Sequence, residues 1–141
     1  MESLADVPLA NGALILIDSA PIIYVLEGHS THAGRFLRLF ERHAAGEIQF
    51  AVSTVTILEV MTGPLGHGNG ALAERYKSVL STWRVVELTL DIAAMAARLR
   101  ASLKLKLPDA VQAASALAIN ADALVTHDRD FSRLTALPVL V

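Results

Sequence analysis

Apolar residues fall in short blocks along the chain, most of them closed by an acid, a glycine or a proline. Ala13–Ile17 (ALILI) is a continuous apolar run ending at Asp18, the pattern of a strand covered on both faces in a parallel sheet. Ser19 is placed to cap a following helix, with Pro21 in its first turn, where a missing N–H costs little. That helix carries Ile22, Ile23, Val25 and Leu26 to a stop at Gly28. Ser30 or Thr31 opens a second helix, with Phe36, Leu37, Leu39 and Phe40 at helical spacing and Gly46 at its end. Ile48–Val52 reads as a second strand, and Ser53 or Thr54 caps a helix holding Ile57, Leu58, Glu59, Val60 and Met61. Gly63–Gly70 (GPLGHGNG) reads as a loop, Ala71–Leu80 as a helix and Trp83–Leu88 as a third strand. Asp91 is the expected cap of a helix striped by Ile92, Met95, Ala96, Leu99 and Leu103. Pro108 and Asp109 begin another helix, with Val111, Ala114 and Ala118 on a small, apolar surface. Ala123–Thr126 is a short strand, Asp128–Phe131 a turn, and Pro138–Val141 a last edge strand.

Strands and helices alternate from end to end. That predicts an α/β fold, a doubly wound parallel sheet flanked by helices in a single domain. Composition agrees. The 141 residues suit one domain, and a hydrophobic fraction of 53% argues against disorder. No apolar block approaches the roughly 20 residues that span a bilayer, so no membrane association is expected. Met1–Gly12 carries Glu2 and Asp6 and lacks the basic start of a signal peptide. The absence of cysteine excludes disulfides and thiolate metal sites, and it is compatible with the cytoplasmic location expected here. A net charge of −2 places the burden of any nucleic-acid binding on local basic patches and bound cations.

In a doubly wound sheet the ligand site lies outside the carboxyl ends of the central strands. Asp18 and Asp128 follow two predicted strands, Asp109 lies at a helix start, and Glu59 lies one turn into a helix that follows a strand. All four point to the same edge. Four acids on one rim repel one another unless hard cations with oxygen preference, Mg²⁺ or Mn²⁺, relieve them. Metal-assisted displacement at phosphorus is the chemistry that such a cluster suits best. Each acid also has a plain reading. Asp18 suits a helix cap, Glu59 a surface position, Asp109 a first-turn acid, and Asp128 and Asp130 a turn.

Other features carry less. His29 and His32 form H-x-x-H without a third ligand at zinc-like spacing, which favours a solvated surface. His127 reads as a turn residue beside Asp128, and Tyr24 as a core or dimer contact. GPLGHGNG has no G-K-[ST] and is not a P-loop. Of the basic residues in the second half, Arg98, Lys104 and Lys106 are the candidates for phosphate contacts.

Four segments together resemble the PIN-domain family, and within it the VapC-type toxins of bacterial toxin–antitoxin systems. They are LILIDSAPIIYVLEG around Asp18, VSTVTILEVMTG around Glu59, LKLPDAVQAASAL around Asp109 and ADALVTHDRDF around Asp128. They fall in the family's order, and the last two form the more specific pairing. The resemblance covers about residues 14–141, leaving residues 1–13 as an N-terminal extension. It implies an endoribonuclease dependent on Mg²⁺ or Mn²⁺. Asp18 and Asp109 match the family's central metal-binding acids, and Glu59 and Asp128 its second and fourth. Asp130 matches a less central acid, and Thr126 a residue that supports the site by hydrogen bonding. The implied reaction is in-line attack of metal-activated water on an RNA phosphodiester, leaving a 5′ phosphate and a 3′ hydroxyl. The implied partners are the RNA substrate, a cognate antitoxin and a second copy in a homodimer. The chain departs from the family in its residues before Ala13 and its long Gly-rich stretch after Glu59. Two alternatives belong to other classes. A phosphoacceptor receiver-like domain also binds Mg²⁺ on a doubly wound sheet, but it wants an acidic pair and a late lysine that are missing here. A catalytically silent PIN-fold interaction module is disfavoured by the four intact acids.

Overall fold

Strand β1 (Leu14–Ile17) is the centre of the molecule. It pairs in parallel with β2 (Gln49–Ser53) on one side and with β4 (Ala123–Val125) on the other. The computed structural model, which describes residues 9–141, completes the sheet with β3 (Arg84–Val86) outside β2 and β5 (Val139–Leu140) outside β4. The order is β3-β2-β1-β4-β5, with every pairing parallel. A receiver domain has the order 2-1-3-4-5, so the receiver-like alternative does not fit this connectivity.

The apolar runs are continuous because both faces of the sheet are covered, while successive side chains still point to opposite faces. Ile15, Ile17, Phe50, Val52, Ala123 and Val125 join one core, shared with α1 (Ser19–Glu27), α2 (Ala33–Ala44), α3 (Thr54–Gly66) and α4 (Gly70–Ser81). Leu16, Ala51 and Leu124 join the other, shared with α5 (Leu90–Leu103) and α6 (Leu107–Ala118). The expected stripe of α5 holds: Ile92 and Ala96 are buried, and Met95, Leu99 and Leu103 pack against them. Helix α6 is buried continuously from Asp109 to Ala116. Its alanines let it lie close to the sheet and to α5 at once.

Several boundaries differ from those the sequence predicts. Of the two capping readings for α1, Asp18 holds and Ser19 does not: the Asp18 side chain accepts from the Ser19 amide. Neither Ser30 nor Thr31 caps α2, which starts after His32 without a side-chain cap. The cap of α5 is Thr89, whose hydroxyl accepts from the Ile92 amide at 3.2 Å, and Asp91 instead sits in the first turn, where its charge complements the helix dipole. GPLGHGNG is mostly helical. Helix α3 runs through a buried Pro64 to Gly66, the carbonyl of Pro64 accepts from His67 and Asn69, and only His67–Asn69 connects to α4. Gly68, at φ 73°, makes that short reversal. Most of the N-terminal extension lies outside the described residues. Among the described residues no helix is long and apolar enough to cross a membrane.

Candidate active site

Two strand ends and the starts of two helices deliver four acids to one edge. Asp18 directly follows β1, and Asp128 follows β4 by way of Thr126 and His127. Glu59 lies in the second turn of α3, held at its start by Ser53, whose Oγ accepts from the Thr56 amide at 3.1 Å. Asp109 is in the first turn of α6, just after Pro108. The strand order reverses between β1 and β4, where a doubly wound sheet opens its ligand crevice. There the acids share a cleft of about 420 Å³ with Ser19, Tyr24, Lys106, His127 and Arg129.

Asp18 is the anchored member. Its Oδ1 accepts from the Ser19 amide at 2.8 Å and from Gln112 Nε2 at 3.1 Å, and its Oδ2 accepts from Thr126 Oγ1 at 2.8 Å. Thr126 Oγ1 also accepts from the Asp128 amide at 2.9 Å, so a single hydroxyl sets two acids. Gln112 is fully buried. It donates to Thr56 Oγ1 as well as to Asp18, and its Oε1 accepts from Ser53 Oγ at 2.9 Å. The network Ser53–Thr56–Gln112–Asp18–Thr126 therefore ties β2, α3, α6, β1 and β4 to one carboxylate. The sequence reading found Thr126 and missed Gln112, whose only signal was a polar residue amid the alanines of α6.

Asp128 Oδ1 accepts from the Asp130 amide at 2.8 Å, but Asp109 and Glu59 are underpaired. Among the described residues, Asp109 Oδ2 and Glu59 Oε1 are buried without a hydrogen-bond partner. Carboxyl oxygens of Asp109, Asp128 and Asp130 lie within 4.8 Å of one another. Asp130, ranked below the others from sequence, thus stands within this closest grouping, which includes neither Asp18 nor Glu59. Lys106 Nζ is 3.6 Å from Asp130 Oδ2. Burial, then the charges of Asp128 and Asp18, push the Asp109 carboxyl up to about 7, with Lys106 partly opposing them. Burial also raises Asp18, against the hydrogen bonds from Thr126, Ser19 and Gln112, and the Asp128 charge adds to the rise. Glu59 is raised by burial and then by the charge of Asp18. Clustered carboxyls that resist ionisation and keep orphaned oxygens have the donor set of a hard-cation site.

Tyr24, which packs against the core as its sequence reading expects, and His127, in the bend after β4, also line the cleft. The Tyr24 hydroxyl and His127 Nδ1 are 2.9 Å apart. Burial and the positive charge of His32, Arg35 and Arg129 hold His127 below the usual imidazole range. His29, exposed as expected, and half-buried His32 both pack against Tyr24.

A family model described as PIN domain matches residues 15–137. No curated protein matches the chain. Among solved structures, the chain is similar to a toxin–antitoxin complex from Klebsiella pneumoniae, at 28% identity and TM-score 0.69, over 90% of this chain and 95% of that one. It is also similar to VapBC2 from Rickettsia felis bound to a DNA fragment from its promoter, at 19% identity and TM-score 0.71, over 89% and 96%. A third is the Mycobacterium tuberculosis Sarcin-Ricin loop cleaving toxin VapC20, at 20% identity and TM-score 0.69, over 84% and 92%. With the family model spanning most of its length, and with the five-stranded parallel sheet that positions the acids, the chain belongs to the PIN-domain family and shares the fold of the VapC toxins.

Proposed function

We propose that this chain is a VapC-type endoribonuclease, dependent on Mg²⁺ or Mn²⁺ and restrained by a cognate antitoxin. One observation carries the reading. Asp18, Glu59, Asp109 and Asp128, drawn from four distant segments, line one cleft in which two buried carboxyl oxygens have no partner among the described residues. Asp18, Asp109 and Asp128 would hold the cation, with Glu59 completing the site and Asp130 flanking it. When bound, a divalent ion neutralises phosphate charge and lowers the pKa of water for attack on phosphorus.

The chain's own residues supply the rest. Thr126 and Gln112 fix the direction of the Asp18 carboxylate. Glu59, half-buried and raised in pKa, is suited to hold a proton at the edge of the cleft. Lys106 and Arg129 also line the cleft and offer positive charge to a phosphodiester. The similar structure from Klebsiella pneumoniae is a toxin–antitoxin complex, which supports an antitoxin partner here. A homodimer and an RNA substrate complete the proposal.

The test is cleavage of total and synthetic RNA by the purified protein with Mg²⁺ or Mn²⁺, with EDTA, and with the Asp18→Asn and Asp109→Asn variants. Metal-dependent cleavage abolished by EDTA and by either substitution is expected. Undiminished cleavage by both variants sinks the assignment, and metal binding without cleavage of any RNA favours the silent interaction module.

A further inference from the structure

The cleft has an aromatic wall beside its acids. Tyr24 and His127 line it together, their rings edge to face at 79° with centroids 5.4 Å apart. His32 packs on both, 4.8 Å from the Tyr24 ring and 4.6 Å from the His127 ring. Fully buried Phe36 backs the group, stacked on Tyr24 at 6.2 Å. His29 stacks on His32 at 5.0 Å and 20°. It is itself fixed, because its Nδ1 accepts from the amides of Thr31 and His32, each at 3.2 Å.

Two simpler roles fit poorly. Rings that served only the core would be enclosed, yet Tyr24, His32 and His127 are half-buried and His29 is exposed. Among the described residues, these histidines do not bring three ring nitrogens within 4.8 Å of one another, so they are not arranged as a metal site. What remains is a set of flat rings, held in place by a buried phenylalanine and by hydrogen bonds, of which Tyr24 and His127 line the acid cleft and half-buried His32 packs on both without lining it. That arrangement is prepared to receive another flat ring.

We propose that Tyr24, His32 and His127 form a stacking platform for an unpaired nucleobase of single-stranded RNA, next to the phosphodiester held at the acids. This rests on the ribonuclease reading and adds the residues that would seat a base beside the scissile bond. A base in a duplex already stacks on its neighbours, whereas a base in a loop or an unstructured segment can be splayed out onto aromatic side chains. Because every base has a π-face, the platform would tolerate sequence while demanding a strand that can unstack. Arg129 in the same cleft provides charge for the adjoining backbone.

The experiment measures binding without turnover, in the Asp18→Asn background, by fluorescence anisotropy. The probes are a labelled oligoriboadenylate, an abasic ribose-phosphate oligomer of the same length, and a labelled RNA duplex. His32→Ala and Tyr24→Ala are each expected to weaken oligoriboadenylate binding about tenfold and to leave the abasic oligomer unaffected. Tyr24→Phe keeps the ring and should retain most of the affinity, which separates stacking from a folding defect in Tyr24→Ala. The single strand should bind more tightly than the duplex. Unchanged oligoriboadenylate affinity in His32→Ala overturns the platform even if the unmodified chain cuts RNA. Equal losses for the base-bearing and abasic oligomers also overturn it. So does a loss of protein-partner binding in these variants with RNA binding intact, which would make the wall a docking surface. An unmodified chain that neither binds nor cuts RNA removes the ribonuclease reading, and the platform with it.

Discussion

Gln112 Nε2 donates to Asp18 Oδ1 across 3.1 Å, although the two residues stand 94 positions apart. The carboxamide is held at both ends, with Ser53 on its oxygen and Thr56 and Asp18 on its nitrogen. Groups that orient a metal-binding carboxylate typically cost about 10–100-fold in metal affinity or activity when lost. Gln112→Leu, close in size but unable to donate, is expected to weaken Mn²⁺ binding by that factor in a calorimetric titration. Unaltered Mn²⁺ affinity would falsify the orienting role.

The Asp109 carboxyl sets a pH dependence. An acid whose folded pKa lies above its unfolded value binds its proton more tightly in the folded state, so stability is full below the unfolded pKa and falls as pH rises toward the folded one. With a shift from 3.8 to about 7, the metal-free protein should lose stability between about pH 4 and pH 7. Asp18 and Glu59, also raised, should add to the loss. Thermal unfolding in EDTA across this range should show a falling midpoint, with a shallower fall in Asp109→Asn. A midpoint that rises from pH 4 to pH 7 would contradict the burial of these acids.

Metal should reverse that loss. A ligand that binds only the folded state at about a hundred times its Kd adds roughly 2.7 kcal/mol. Saturating Mg²⁺ or Mn²⁺ is therefore expected to raise the melting temperature at pH 7 by several degrees, and EDTA to remove the gain. In the Asp18→Asn, Asp109→Asn double variant the metal-dependent increment should vanish while the metal-free midpoint holds or rises. A full increment in that variant would place the ion elsewhere.

Helix α6 tests the packing. Ala113 and Ala114 are fully buried, which lets the helix sit against the sheet while Asp109 and Gln112 reach the site from the same element. Overpacking such a position typically costs about 1–3 kcal/mol. Ala113→Leu should lower the urea midpoint accordingly and also weaken metal binding, because the helix that carries two site residues must move. An unchanged midpoint would mean that the space beside α6 is looser than its burial implies.

The sheet was legible because its strands are apolar runs bounded by turns and acids, and their alternation with helical stripes selects a parallel fold. The convergence of the acids followed from the rule that parallel strands end at one edge. Boundaries that depend on competition between adjacent caps were less legible: Asp18 and Ser19, or Thr89 and Asp91, are both good capping types, and packing decides between them. The Gly-rich stretch misled because Pro64 lies near the end of α3, where the buried ring packs and its carbonyl still finds partners. Gln112 and the Tyr24–His127 pair were hidden for another reason. Their meaning lies in contacts across 94 and 103 positions, which no local pattern records.

The three donors on Asp18 bear on which ion the cleft prefers. A carboxylate offers about four lone-pair directions. Ser19 and Gln112 occupy Oδ1, and Thr126 takes one direction on Oδ2. Asp18 can then reach an ion with one oxygen only, unless Gln112 or Ser19 lets go. Calcium readily takes both oxygens of a carboxylate and a high coordination number, whereas magnesium accepts single oxygens at octahedral corners and keeps its waters. Were Asp18 to hold a cation as proposed, its denticity, set by a buried amide and a hydroxyl rather than by the width of a cavity, would be the filter between the two ions.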